Sequence, residues 1–212
     1  MNPHVQPWRT NTLLRFSYTL IAPIYDALIE WPMRKARRRS LRLLPNIPGR
    51  VLLSGVGTGL DLPLLPPHHH YTALDFNPAM LRRAVARGKA LDADFVLGDS
   101  MDLPFAGSVY DCVVLHLITA VVPAPGACLA EAARVLRPGG MVLIFDKFLR
   151  PGKVAPLRRF FNPLVRRLAT RMDVVFETEL AKVPELEVMS DGPALAGGWF
   201  RAIVLRKRAA PA

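Results

Sequence analysis

Three glycines, Gly55, Gly57 and Gly59, follow the apolar run "RVLLS" at every second position. Glycines placed there let the backbone turn sharply and let a ligand approach closely. A dinucleotide-binding loop needs Gly at the first, third and sixth positions, and counting from Gly55 the sixth is Leu60. A phosphate-cradling loop needs Gly-Lys-Ser/Thr, and no such triplet follows. What remains is GxGxG with an acid, Asp75, twenty positions after Gly55 and at the end of the next apolar run. A carboxylate in that place can accept hydrogen bonds from both hydroxyls of a ribose. The competing reading is a tight strand-to-helix turn that holds nothing.

The elements that must position these residues alternate from residue 51 onward. "RVLLSGV", "HYTALDF", "ADFVLGD", "YDCVVLHLI" and "GMVLIFDKF" read as strands. The fourth is almost wholly apolar, as befits a strand covered on both faces. "NPAMLRRAVARGKAL" reads as a helix capped by Asn77 with Pro78 at its first position, and "APGACLAEAARVL" as a second, stopped by "RPGG". Such alternation predicts a parallel sheet with helices on both faces and right-handed crossovers. "APLRRFFNPLVRRLATRM" has the pattern of an amphipathic helix interrupted at Pro163. "LEVMSDGPALAGGWFRAIVLRKR" then reads as two strands around a Gly-rich turn, closing the sheet with an antiparallel hairpin. The "PPHHHY" run, whose consecutive histidines cannot all face one ion, reads as a solvated loop, and no metal site is expected.

The 212 residues, 51% of them hydrophobic, suit one α/β domain over 45–210 behind an N-terminal helical, basic segment over 1–44. Cys112 and Cys128 make no disulfide framework and are expected as buried free thiols in a reducing compartment. No signal peptide is visible, and "LLRFSYTLIAPIYDALIEW" carries too many charges to span a bilayer. The net charge of +11 is unevenly spread. Residues 51–146 hold 6 Lys/Arg against 9 Asp/Glu, so the flanks carry the whole excess, concentrated in 33–42 and 147–172. Basic flanks on an ordinary centre point to a polyanionic partner, an anionic membrane surface or nucleic acid. Leu and Phe beside arginine favour the membrane.

Four stretches, "VLLSGVGTGLDLP", "YTALDFNPAMLRRA", "VLGDSMDLPFAGSVYDCVV" and "EAARVLRPGGMVLIFD", occur in the order found in class I S-adenosylmethionine-dependent methyltransferases, which this chain resembles over about 45–150. Its loop, its short length and the "YD" at 25–26 most resemble bacterial phosphatidylethanolamine N-methyltransferases, then the ubiquinone/menaquinone-pathway enzymes. The resemblance implies a Rossmann-like, doubly wound, mostly parallel seven-stranded sheet with a C-terminal antiparallel hairpin and an N-terminal helical lid. It implies S-adenosyl-L-methionine as cofactor. Carried over, Gly55, Gly57 and Gly59 would pass under the methionine moiety and Asp75 would hold the ribose. Phe76 would pack near the adenine, Asp99 would accept from its amino group, and Ser100 and Met101 would line the ring. His116 would face the transferred methyl, and Tyr25 would act from the N-terminal helix as a second catalytic residue. The competing readings are a strand-end cap for Asp75, a turn residue for Asp99, a satisfied buried polar group for His116 and simple packing for Tyr25.

Two departures stand out. Most members of the family it resembles carry an acid two positions before the first glycine, where this chain has Leu53; Asp61 is the candidate substitute in holding the cofactor's amino group. The fifth strand ends in "FDKF" rather than the Asn-His pair expected of phospholipid enzymes, which leaves the acceptor more open than the cofactor. The expectation is N-methylation of a phospholipid amine by a cytoplasmic protein held peripherally at the inner membrane. The alternatives are a quinone or other small hydrophobic acceptor, less readily RNA, or a non-enzymatic module that keeps the fold.

Overall fold

The computed structural model describes residues 33–149 and 174–209. Tyr25 and the amphipathic segment predicted over 155–172 lie outside the described residues.

Helix α1 covers residues 33–41. After it come β1 (Arg50–Ser54), β2 (His70–Asp75), α2 (Pro78–Arg87), β3 (Ala93–Leu97), β4 (Tyr110–His116), α3 (Pro125–Val135), β5 (Leu136–Lys147), α4 (Phe176–Leu180), β6 (Leu186–Leu195) and β7 (Phe200–Lys207). The strands form one sheet in the order β3-β2-β1-β4-β5-β7-β6. The first five are parallel, while β7 runs antiparallel to both β5 and β6. The expected sheet and its C-terminal hairpin are therefore both present.

Strand alternation puts Leu52 and Leu53 on opposite faces, and both are buried. Leu52 joins Val113 and Leu115 in packing against Leu129 and Ala132 of α3 and Phe176 of α4. Leu53 joins Val51, Val114 and Leu143 in packing against Leu41 of α1, Leu44 just beyond it and Ala84 of α2. Covering both faces makes the central strands continuously apolar, as their sequence is.

Strand order reverses between β1 and β4, which both pair with neighbours on opposite sides. At such a switch point the loops leaving the carboxyl ends of the strands diverge and open a crevice. The loops in question are 55–61, after β1, and 117–121, after β4.

Local chemistry fixes several boundaries. Asn77 Oδ1 accepts from Ala79 N at 2.9 Å, so α2 is capped as expected. It stops early, at Arg87, where Gly88 donates to the Ala84 carbonyl. The glycine loop leads only into a single 3-10 turn, Leu62–Leu64, and not into a longer helix. Pro66 is the reason: the residue before a proline is pushed out of the α region, and Leu65 has ψ 141. "RPGG" does end a helix, yet it already belongs to β5, whose Leu136 pairs with Tyr110 before a register shift. The histidine run divides: His68 is exposed and His70 half-buried, but His69 is 2% exposed, so the solvated-loop reading holds for only part of it. Cys112 and Cys128 are free and buried. Burial pushes the Cys128 thiol up to about 12, and Cys112 moves the same way.

Candidate active site

Gly55, Gly57 and Gly59 all adopt positive φ, at 77°, 57° and 83°. A side chain on Gly59 would stand 2.8 Å from the Ala84 Cα of α2. Gly57 differs: nothing lies within 4 Å of where its Cβ would be, and it lines a cavity of about 720 Å³ including the open mouth. That is the arrangement a ligand passing over the backbone requires.

Asp75 closes the end of β2 and is 5% exposed. Its Oδ2 accepts from Gly57 N at 2.7 Å and its Oδ1 from Asn77 N at 2.8 Å. One carboxylate thus fastens the glycine loop to the start of α2 while facing the cavity. Burial pushes its pKa above the ordinary value, against the pull of the backbone N–H groups of Asn77, Gly57 and Phe76. Each carboxylate oxygen has two acceptor positions, so hydroxyl groups in the cavity could still bond to it.

Across the cavity, four side chains form a chain of contacts. Arg37 Nη1 donates to Asp61 Oδ1 at 2.9 Å. Asp61 Oδ2 meets His116 Nδ1 at 3.0 Å, and His116 Nε2 meets Ser40 Oγ at 2.9 Å. Arg37 and Ser40 stand on α1, three positions apart and so on one face. His116 ends β4, and its ring stands edge-on to Phe145 of β5. Burial alone would raise the Asp61 carboxyl, but the charge of Arg37 and the contact with His116 outweigh it and hold it well below the usual carboxylate range. Asp61 makes no side-chain bond to the 3-10 turn it precedes. It lines the cavity as expected of a cofactor ligand, yet both of its oxygens are engaged by Arg37 and His116.

The loop after β4 completes the wall. Leu117 takes φ 58, uncommon for a branched side chain, and Asp146 Oδ2 accepts from Ala120 N at 2.9 Å beneath it. Asp146 is wholly buried and holds this loop without lining the cavity; burial pushes its carboxyl up. Phe76, Met80, Ile118 and Val121 give the cavity apolar surfaces.

Asp99, Ser100 and Met101 lie beside this cavity rather than in its lining. Asp99 Oδ1 accepts from Met101 N at 3.0 Å, and Ser100 accepts a 2.8 Å bond from Ser54, the last residue of β1. Met101 packs toward the α3 face. These bonds brace the turn after β3 against the root of the glycine loop. Gly59, too, is a packing position and not a lining one. Leu53, in the place of the usual acid, is 2% exposed in the apolar cluster beneath the loop.

Sequence reasoning missed Arg37 and Ser40. The signal was the spacing of Ala36, Arg37, Ser40, Leu41 and Leu44, which are the buried positions of this segment. The charge of the run drew attention to its exposed side.

A model of a methyltransferase domain matches residues 52–144. A phosphatidylethanolamine N-methyltransferase of Cereibacter sphaeroides is 33% identical over 190 residues, covering 87% of this chain and 93% of that protein. The chain belongs to the class I S-adenosylmethionine-dependent methyltransferases. A demethylmenaquinone methyltransferase of Renibacterium salmoninarum is 33% identical over 69% of this chain and 63% of its own length. Among solved structures, an S-adenosylmethionine-dependent methyltransferase of Thermotoga maritima matches with a TM-score of 0.67 at 18% identity, over 92% of this chain and all of that one. The protein is an enzyme of this class, and its cofactor is S-adenosyl-L-methionine. The methyltransferase cavity fits that cofactor. Gly57 leaves open space, the buried carboxylate of Asp75 would take the ribose hydroxyls, and Phe76 and Met80 would offer apolar surface to the base.

Proposed function

We propose that this methyltransferase N-methylates the amine headgroup of a phospholipid, phosphatidylethanolamine being the first choice, while held at an anionic membrane surface on the cytoplasmic side. The cofactor supplies an already activated methyl group, so the protein's task is to place the acceptor's lone pair and keep the amine neutral. The observation that carries the reading is the position of α1. One face of this helix walls the cavity through Arg37, while Arg34, Lys35, Arg38, Arg39 and Arg42 along the same segment are exposed. Basic side chains near an anionic bilayer contribute about 1 kcal/mol each. The likeness to a phosphatidylethanolamine N-methyltransferase over most of both chains agrees with it. Among the described residues no helix is long and apolar enough to cross a membrane.

In this reading His116 is a positioning residue. Both ring nitrogens are engaged, by Asp61 and Ser40, so it orients α1 against the cavity. Tyr25 keeps its proposed role as a group acting on the acceptor.

A second reading, a quinone acceptor, is favoured by the likeness to a demethylmenaquinone methyltransferase. Incubation with labelled S-adenosylmethionine and total cell extract, followed by separate counting of polar lipid, quinone, RNA and protein fractions, decides between them. Label in the aminophospholipid fraction is expected; label confined to quinone or RNA would overturn the proposal. Retention by anionic vesicles at low salt, lost at high salt, tests the membrane part.

A further inference from the structure

A second, smaller cavity adjoins the first. It encloses about 360 Å³ with its mouth and is lined by Arg34, Arg37, Leu60, Pro63, Leu64 and Arg87. Three of its six lining residues are arginines and none is Asp or Glu. Arg37 and Leu60 line both cavities, so the two share a wall.

We infer that Arg34, Arg37 and Arg87 form a binding site for the phosphate of a phosphodiester, whose attached amine then lies in the cofactor cavity. The inference rests on the phospholipid reading for the identity of the diester, not for the existence of the anion site.

Three observations support it. Arg37 is more than nine-tenths buried, and its Nε has no hydrogen-bond partner among the described residues. A buried donor left unpaired is disfavoured by about 1–3 kcal/mol, so Arg37 keeps donor capacity that Asp61 does not use. Arg87 is fixed at the end of α2 by a bond from Nη1 to the Thr58 carbonyl, so it is pre-placed. Arg34, exposed and three positions before Arg37 on α1, lines the same cavity.

The charge balance also fits. Asp61 meets the charge of Arg37, and among the described residues no carboxylate lines the smaller cavity, which suits a single anionic phosphate. Arginine forks suit the oxygens of a phosphate better than a lysine point charge does. Leu60, Pro63 and Leu64 give the site an apolar floor that keeps competing water low. In a phosphoethanolamine group only a two-carbon spacer separates phosphate from amine. A shared wall between an anion site and a methyl-transfer cavity suits that spacing.

The test is a phosphorus NMR titration of the full-length protein with inorganic phosphate and with glycerophosphoethanolamine, alongside a calorimetric titration with ethanolamine, which lacks the phosphate. Both phosphate compounds are expected to bind and ethanolamine is not. Arg34→Gln and Arg87→Gln should each weaken phosphate binding about tenfold. Affinity for S-adenosylhomocysteine, measured on each variant, shows that the fold is kept. In the methylation assay Arg34→Gln should raise KM for phosphatidylethanolamine in mixed micelles about tenfold with kcat retained. Absence of phosphate binding, or equal binding by Arg34→Gln, would overturn the site. Phosphate binding that responds to both variants, with no methylation of phosphatidylethanolamine, would leave the site standing and sink the acceptor assignment. If a short RNA displaces phosphate and glycerophosphoethanolamine does not, the lipid source is refuted.

Discussion

Arg37 and Asp61 lie 24 positions apart in sequence and meet through one buried contact of 2.9 Å between Nη1 and Oδ1. Removing one member of such a pair strands the other charge out of water. Asp61→Asn is therefore expected to lower stability by about 3 kcal/mol at neutral pH, read from urea unfolding. The double variant Asp61→Asn with Arg37→Met should lose less than the sum of the single changes. The sign with pH follows from the depressed folded-state pKa of Asp61. Its contribution is complete above the unfolded value of about 3.9 and is lost as pH falls toward the folded value. The wild-type and Asp61→Asn stability curves should converge below about pH 4. A constant gap down to acid pH would contradict this account.

Asp75 behaves oppositely. Burial raises its folded-state pKa, so its effect on stability is most favourable below the unfolded value and declines as pH rises through the folded one. Cofactor binding runs the other way, because the ionised carboxylate is the better acceptor for ribose hydroxyls. Affinity for S-adenosylmethionine should fall on acidification, beginning above pH 3.9. Asp75→Asn should reduce affinity by about ten- to hundredfold and remove that pH dependence, both measurable by calorimetry.

Two glycines of one loop should respond differently to alanine. Gly57→Ala meets only the strain of positive φ, roughly 1–2 kcal/mol, but puts a methyl group into the cavity. Gly59→Ala meets the same strain and also the backbone of α2. Thermal melts with and without S-adenosylhomocysteine should show Gly59→Ala as the less stable protein. Gly57→Ala should show the smaller shift on adding ligand relative to its own starting point.

Placing at position 53 the acid that the family resemblance implies should harm this chain. Leu53 is packed among Leu41, Val51 and Val114, so Leu53→Glu removes apolar burial and buries a carboxylate in its place. A loss of about 2–4 kcal/mol is expected. A gain in cofactor affinity without loss of stability would show that the cluster yields more readily than its burial implies.

What could be read in the sequence was local or repetitive. Strand runs such as "YDCVVLH", the Asn77-Pro78 cap and the hairpin around Gly197 each carry their own signal within a few residues. Gly57 and Asp75 were legible because a turn of positive φ and a strand-end acid leave marks at a fixed spacing. The Ser40–His116 contact joins positions 76 apart, and only the folded sheet brings them together. Arg37 was hidden differently: among six basic residues in 33–42, composition gives no hint that one turns inward. Asp61 was noticed, but its contacts with Arg37 and His116 were not. Helix α4, only five residues long, is too short for its periodicity to stand out.

The contacts of Arg37 and Ser40 also say something about turnover. Lifting 33–41 away would break a buried ion pair, leaving Asp61 Oδ1 without Arg37 and His116 Nε2 without Ser40. That stretch is the doorframe of the enzyme, not its door. Its outward side can be changed without disturbing that wall, so affinity for S-adenosylhomocysteine should be insensitive to Arg38→Gln and Arg39→Gln.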